Sequence, residues 1–215
     1  MHAEHVTALS QLSSESKVTL GETKISEYLQ ELASASSTPG GGSAAALTAA
    51  QGTALLAMVC RLTIGKKKFA DVEDEVRSIL ATLDNDLKIT QELADSDIRM
   101  FQTVMAAYKL PKETETEAEA RAGEIQSALK TCSDVPFELF KTCLFMLPLA
   151  DRLEQICNPA VRSDVVVGRY LLLAALYSAQ ANVEINLAGI TDDSFSAEKR
   201  EFMEVSIREM KLHPL

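Results

Sequence analysis

Three consecutive glycines, Gly40, Gly41 and Gly42, follow Thr38-Pro39 and precede Ser43 and a long run of small apolar residues. A glycine run gives up backbone entropy and brings no side-chain contacts, so it makes sense where the backbone must approach another group closely. A helix opening near Ser43 would offer free N–H groups and partial positive charge to an anion or a polarised carbonyl. The spacing matches neither the phosphate-cradling loop nor the dinucleotide fingerprint, which disfavours a nucleotide. The competing reading is a flexible link with Ser43 as N-cap. Lys66, Lys67 and Lys68 form the only triple-basic run in the chain. They suit an anionic tail, though a charge run is more often a solvated cluster at the end of the preceding helix. Lys109 and Lys112 flank Pro111, directly after Tyr108, whose ring can stack on a planar heterocycle or simply close a helix. Asp164 follows Ser163 and opens an apolar run, as an N-cap or as a carboxylate lining a pocket. Asn182 and Asn186 stand one helical turn apart in a mostly apolar stretch, where buried amides need partners from another helix or from a ligand. The three histidines, His2, His5 and His213, lie in the terminal regions, which leaves proton transfer to carboxylates and lysines.

These residues need elements to hold them, and the pattern is helical throughout. Ile25 to Ala35 reads as an amphipathic helix with Ile25, Tyr28, Leu29 and Leu32 on one face. A small-residue helix follows from about Ser43 to Leu62, its alanines allowing close helix approach. Val72, Val76, Ile79, Leu80, Leu83, Leu87 and Leu93 give a helical period over about Ala70 to Tyr108. Glu115 to Cys132 is helical. Pro136 is expected in the first turn of a separate helix reaching Ile156, kinked at Pro148. Val165 to Leu187 is a second long apolar helix. Ser196 to Lys211 is the last, with Asp192, Asp193 and Ser196 as capping candidates. No strand pattern interrupts this series. The fold class expected is all-α, a bundle of five to seven helices. Two helices apolar nearly all round imply a second subunit covering part of them, most simply in a homodimer.

The chain has 215 residues, 47% hydrophobic and 24% charged, enough for one domain with a sizeable core. Residues 1–21 read as a polar leader and 22–215 as the helical domain. A net charge of −10 makes a poor surface for nucleic acid or an anionic membrane. The uncharged stretch Pro39 to Cys60 has the length of a membrane span, but it opens on Pro-Gly-Gly-Gly-Ser and is dominated by Ala, Thr and Gly. A helix buried among other helices is the better reading. Cys60, Cys132, Cys143 and Cys157 have no zinc spacing and read as buried thiols in a reducing, cytoplasmic compartment.

Five segments, in order, resemble the signatures of the formiminotransferase-cyclodeaminase family, in its cyclodeaminase/methenyltetrahydrofolate cyclohydrolase domain. They are Ser36–Ala46, Leu62–Phe69, Ala106–Lys112, Asn158–Asp164 and Asn182–Leu187, within a resemblance spanning about residues 22–210. The resemblance implies an all-helical homodimer that binds tetrahydrofolate derivatives. It implies activity on a folate-borne one-carbon unit: hydrolysis of 5,10-methenyltetrahydrofolate, or ring closure of formimidoyltetrahydrofolate with release of ammonia. A helical dimer that binds folate without catalysis is the alternative of another class. Asp97 matches the family's acidic position four residues before Phe101. Asp97 or Asp164 is then expected as general base, with Lys109 as proton donor or electrostatic partner. Gly40–Gly42, Ser43, Lys66–Lys68, Tyr108, Lys112, Asn158, Ser163, Asn182 and Asn186 are expected to bind the substrate. The resemblance calls for no metal and no redox cofactor. Ala160 stands where members often carry a second asparagine, and Arg162 where they often carry a small or apolar residue.

Overall fold

The computed structural model describes residues 19–211. Within them the chain forms six α-helices, joined by short 3-10 turns and loops, with no strand among the described residues. They are α1 (Ile25–Leu32), α2 (Gly41–Thr63), α3 (Glu73–Tyr108), α4 (Glu115–Ile156), α5 (Arg162–Leu187) and α6 (Asp193–Glu209). The all-α expectation holds, and the helix count falls within the expected range. The expected leader lies almost wholly outside the described residues.

Helices α2 to α5 form the body. Each packs against two neighbours, α2 on α3 and α5, α4 on the same two, so the four make a closed ring. Side-chain bonds fix their directions. Arg61 meets Asp84 and Ser43 meets Asp97, so α2 and α3 run antiparallel. Arg152 meets Glu75, and Arg169 meets Asp151, so α3, α4 and α5 alternate likewise. This up-down-up-down bundle buries a core of Leu56, Val76, Leu83, Phe140, Met146, Leu172 and their neighbours.

The tightest crossing is between α2 and α5. A methyl group placed on Gly52 would come within 2.8 Å of the Gly168 carbonyl, and one on Gly168 within 3.1 Å of the Gly52 carbonyl. The closest approach, at Gly52, is to backbone, which cannot swing aside as a side-chain end can. By length and composition α2 could cross a membrane, but here most of it lies inside the bundle.

One expectation is corrected. The stretch read as two helices separated near Pro136 is the single 42-residue helix α4, with Pro136 and Pro148 inside it. Its start is fixed by a reciprocal cap, in which Thr114 accepts from the Glu117 N–H and the Glu117 carboxylate accepts from the Thr114 N–H. The N-terminal helix also differs. Only Tyr28 and Leu32 face the body, whereas Ile25 and Leu29 are 78% and 53% exposed. Helix α6 docks on α4 through Lys130–Asp192 and Lys199–Asp134 ion pairs, each 2.7 Å, with the Lys199 ammonium 4.1 Å from the Phe137 ring centre. Asp192 caps α6 by accepting from the Phe195 N–H.

Gly52→Ala is expected to lower stability by about 1–3 kcal/mol, because the overlap is with backbone. Gly123→Ala, in α4 with open space around it, is expected to raise stability by about 0.5–1 kcal/mol. Thermal unfolding of the two variants side by side checks both signs.

Candidate active site

Helix α2 begins without a side-chain cap of its own, Gly40 being its N-cap residue. The donor that a cap would satisfy is taken by another helix: Oδ2 of Asp97, on α3, accepts the Ser43 N–H at 2.9 Å. Ser43 is therefore the third residue of the helix rather than its cap, and its hydroxyl donates to the Gly40 carbonyl at 3.0 Å. The Asp97 carboxylate lies directly over Gly42, where any added methyl would overlap it. A methyl on Gly41 would stand 3.5 Å from Oδ1 of Asn182 on α5. The glycines thus let a helix start fit between a carboxylate and an amide.

Burial pushes the Asp97 carboxyl above the usual aspartate range, and the Ser43 N–H only partly offsets this. Its second oxygen accepts no hydrogen bond among the described residues and is free to take a proton. Cys132 on α4 lies near enough to feel the Asp97 charge. Its thiol is pushed up to about 11, by burial first and the Asp97 charge second, so it stays protonated at neutral pH. Asn186, one turn beyond Asn182, reaches Cys132 through its amide, with Nδ2 3.5 Å from the Cys132 carbonyl oxygen. Tyr28 of α1 roofs the site. Its hydroxyl is buried without a partner of good geometry, and burial raises it, with the Ser43 side chain opposing and the Asp97 charge adding.

The structure therefore brings Gly40–Gly42, Ser43, Asp97, Asn182 and Asn186 together at one end of the bundle. The other expected residues stand elsewhere. Asp164 is eighteen residues from Asn182 on the same helix, about 27 Å along its axis. It sits in the first turn of α5 but does not cap it, as Val161 is the N-cap residue. Ser163, Asn158 and Lys66–Lys68 share that far end. There Asn158 accepts from the Ala160 N–H and donates to Thr63 Oγ1 and the Leu62 carbonyl, and the three lysines are exposed. Lys109 caps α3 twelve residues past Asp97, about 18 Å along the axis. Lys112 lies in the exposed loop beyond it. The Tyr108 ring is covered by the Arg121 guanidinium at 5.8 Å. Asp95 is engaged separately, accepting the Leu20 N–H.

Sequence reasoning missed Tyr28 and Cys132. Tyr28 carried no signal beyond its place on an amphipathic face. Cys132 stands four residues before Pro136, a signal lost by reading that proline as a helix start.

A half-buried carboxylate held against a helix start, inside a four-helix body, is the most chemically distinctive feature of the described residues. The family profile described as Formiminotransferase-cyclodeaminase matches residues 24–205, and the chain belongs to that family. It is 40% identical over 184 residues to the methenyltetrahydrofolate cyclohydrolase of Methylorubrum extorquens, covering 86% of this chain and 88% of the relative. It is 34% identical to the formimidoyltransferase-cyclodeaminase of Sus scrofa, again over 86% of this chain but only 34% of that longer protein. The fold superposes with a TM-score of 0.78 on a formiminotetrahydrofolate cyclodeaminase from Thermotoga maritima, at 29% identity, covering 88% of this chain and 92% of the other.

Gly42→Ala is expected to fold but to displace Asp97 from the Ser43 N–H, costing about 1 kcal/mol of stability as a lost cap and lowering kcat/KM at least about tenfold. Asp97→Asn tests the electrostatics. A carboxyl raised in the folded state favours folding most below its unfolded pKa, and that benefit is lost as pH rises through the folded pKa. At neutral pH the ionised Asp97 therefore weighs against folding. Asp97→Asn should be at least as stable as the parent at neutral pH, lose this advantage in acid, and be inactive. Melting temperature against pH for both proteins reads the sign.

Proposed function

We propose that this chain is a methenyltetrahydrofolate cyclohydrolase in which Asp97 is the general base. The observation that carries the reading is the Asp97 carboxylate, anchored by one oxygen to the start of α2 and free at the other. In the substrate a cationic carbon bridges two nitrogens. A nearby carboxylate stabilises that cation and accepts a proton as water adds to the carbon. A C–O bond forms, and the water proton passes to Asp97. One C–N bond then breaks, the released nitrogen takes up a proton, and the hydroxyl becomes the formyl oxygen on losing its own. One proton is released overall. The 40% identity to a protein named for this activity over most of both chains supports the choice. The raised Asp97 carboxyl predicts that the acid limb of kcat/KM lies above the ordinary aspartate range.

Formimidoyltetrahydrofolate cyclodeaminase is the second reading, favoured by the Thermotoga maritima superposition. The same carboxylate would then assist attack of one folate nitrogen on the formimino carbon and departure of ammonia. The near-ultraviolet methenyl band separates the two. Its enzyme-dependent loss from 5,10-methenyltetrahydrofolate supports the hydrolase. Its growth from formimidoyltetrahydrofolate supports the deaminase. Neither change above the spontaneous rate overturns both.

We further propose a homodimer through the outer face of α2 and α5. Met58, Leu62, Val167, Tyr170 and Ile185 are exposed there, beside a groove of about 410 Å³ lined by Gln51, Ala54, Leu55, Met58 and Leu171. A two-fold axis across the helices would bring the Lys66–Lys68 and Asp164 end of one protomer to the Asp97 end of its partner. The lysines would then meet the folate carboxylate tail. On this arrangement, mixing inactive Asp97→Asn and Asp164→Asn chains should restore about a quarter of parental activity, from the one intact site of each mixed dimer. No recovery after verified subunit exchange counts against shared sites.

A further inference from the structure

Pro136 is buried in the middle of α4 and has no N–H to donate. The carbonyl four residues earlier, that of Cys132, is therefore left without its helical hydrogen bond. A buried carbonyl in that state needs another donor. The only side-chain hydrogen bond it accepts among the described residues is from the Asn186 amide, and at 3.5 Å that contact is long. The same asparagine turns its Oδ1 toward the Cys132 thiol at 3.9 Å. Asn186 stands one helical turn beyond Asn182, whose amide lies against Gly41, so the freed carbonyl sits beside the same helix start. The proline opens the helix ladder at the turn of α4 that Asn186 reaches.

We propose that the Cys132 carbonyl, freed by Pro136 and flanked by the Asn186 amide, is the substrate-binding acceptor that reads the N–H edge of the folate's pterin ring. This rests on the folate reading given above. A 2-amino-4-oxo-pyrimidine edge presents adjacent N–H donors and a carbonyl acceptor. A backbone carbonyl with two lone pairs beside a carboxamide offers the complementary set. The carbonyl keeps one lone pair for Asn186 and gives the other to the ligand. Pro136 is then a positioning residue, acting through a backbone group it does not itself contain.

The sequence makes a direct test available, because Cys132-Ser133 is the only Cys-Ser step in the chain. Protein labelled with carbonyl-13C cysteine and 15N serine yields one carbonyl–amide cross-peak, that of residue 132. Titration with 5-formyltetrahydrofolate, a stable substrate analogue, is expected to move this carbonyl downfield as it gains a hydrogen bond. If other amides shift while this carbonyl stays put, the proposal is overturned and folate binding stands. If no resonance shifts at saturating analogue, the folate reading itself fails, and the proposal with it. Pro136→Ala gives a second readout, because the restored helical bond competes for the carbonyl. A KM about tenfold higher with kcat within about twofold, which corresponds to one lost hydrogen bond, supports the proposal. An unchanged KM in a folded Pro136→Ala protein overturns it.

Discussion

The hydrogen bond from the Ser43 N–H to the Asp97 carboxylate joins two helices that are 54 residues apart in sequence, and the site is arranged around it. It completes the start of α2, which has no cap from its own neighbourhood. It also holds a carboxylate where solvent is scarce. Those two effects pull in opposite directions on the proton. The helix N-terminus favours the charged form, and burial disfavours it. Burial prevails, so the group is more basic than a surface aspartate. A carboxylate held by one oxygen has little rotamer freedom left to lose, and its other oxygen remains available.

That bond is possible only because the helices come unusually close. Gly42 leaves room for the carboxylate, and the Gly52–Gly168 crossing draws α5 against α2 so that Asn182 arrives beside Gly41. The glycines are thus of two kinds. Gly52 and Gly168 set the spacing of the frame, and Gly41 and Gly42 convert that spacing into a site. Substituting the first kind strains backbone against backbone. Substituting the second displaces a side chain and touches chemistry more than stability.

The helical class, the long apolar α2 and α5, and the glycine run before α2 were legible in the sequence because each follows from local pattern. The breaks were less so. Pro136 looked like a helix start since proline is best tolerated there, and only tertiary structure shows an asparagine 50 residues onward reaching the freed carbonyl. The site was legible in part for the same reason. Asp97, Gly40–Ser43, Asn182 and Asn186 meet because antiparallel helices bring 43 beside 97 and 41 beside 182. That same antiparallel arrangement sends Asp164 and Lys66–Lys68 to the far end. Tyr28 and Cys132 are ordinary residues for an amphipathic face and a core, and only their neighbours give them interest.

The charge distribution follows the same division. At net charge −10 the chain repels an anionic ligand at long range, but at physiological salt that repulsion fades over about 8 Å. Within that distance local groups decide. Lys66, Lys67 and Lys68 make no ion pair among the described residues, whereas Arg61, Arg77, Arg99, Arg152, Arg169 and Arg200 are each matched to an acid. Arg61, Arg152, Arg169 and Arg200 tie one helix to another, Arg77 and Arg99 pair within α3, and the three lysines stay uncommitted. A substrate with a cationic carbon at one end and carboxylates at the other needs both a carboxylate site and a lysine site. Asp97 and Lys66–Lys68 lie at opposite ends of the bundle, farther apart within one chain than a single folate headgroup extends. In the proposed dimer, two chains side by side in opposite directions would close that gap without altering either end.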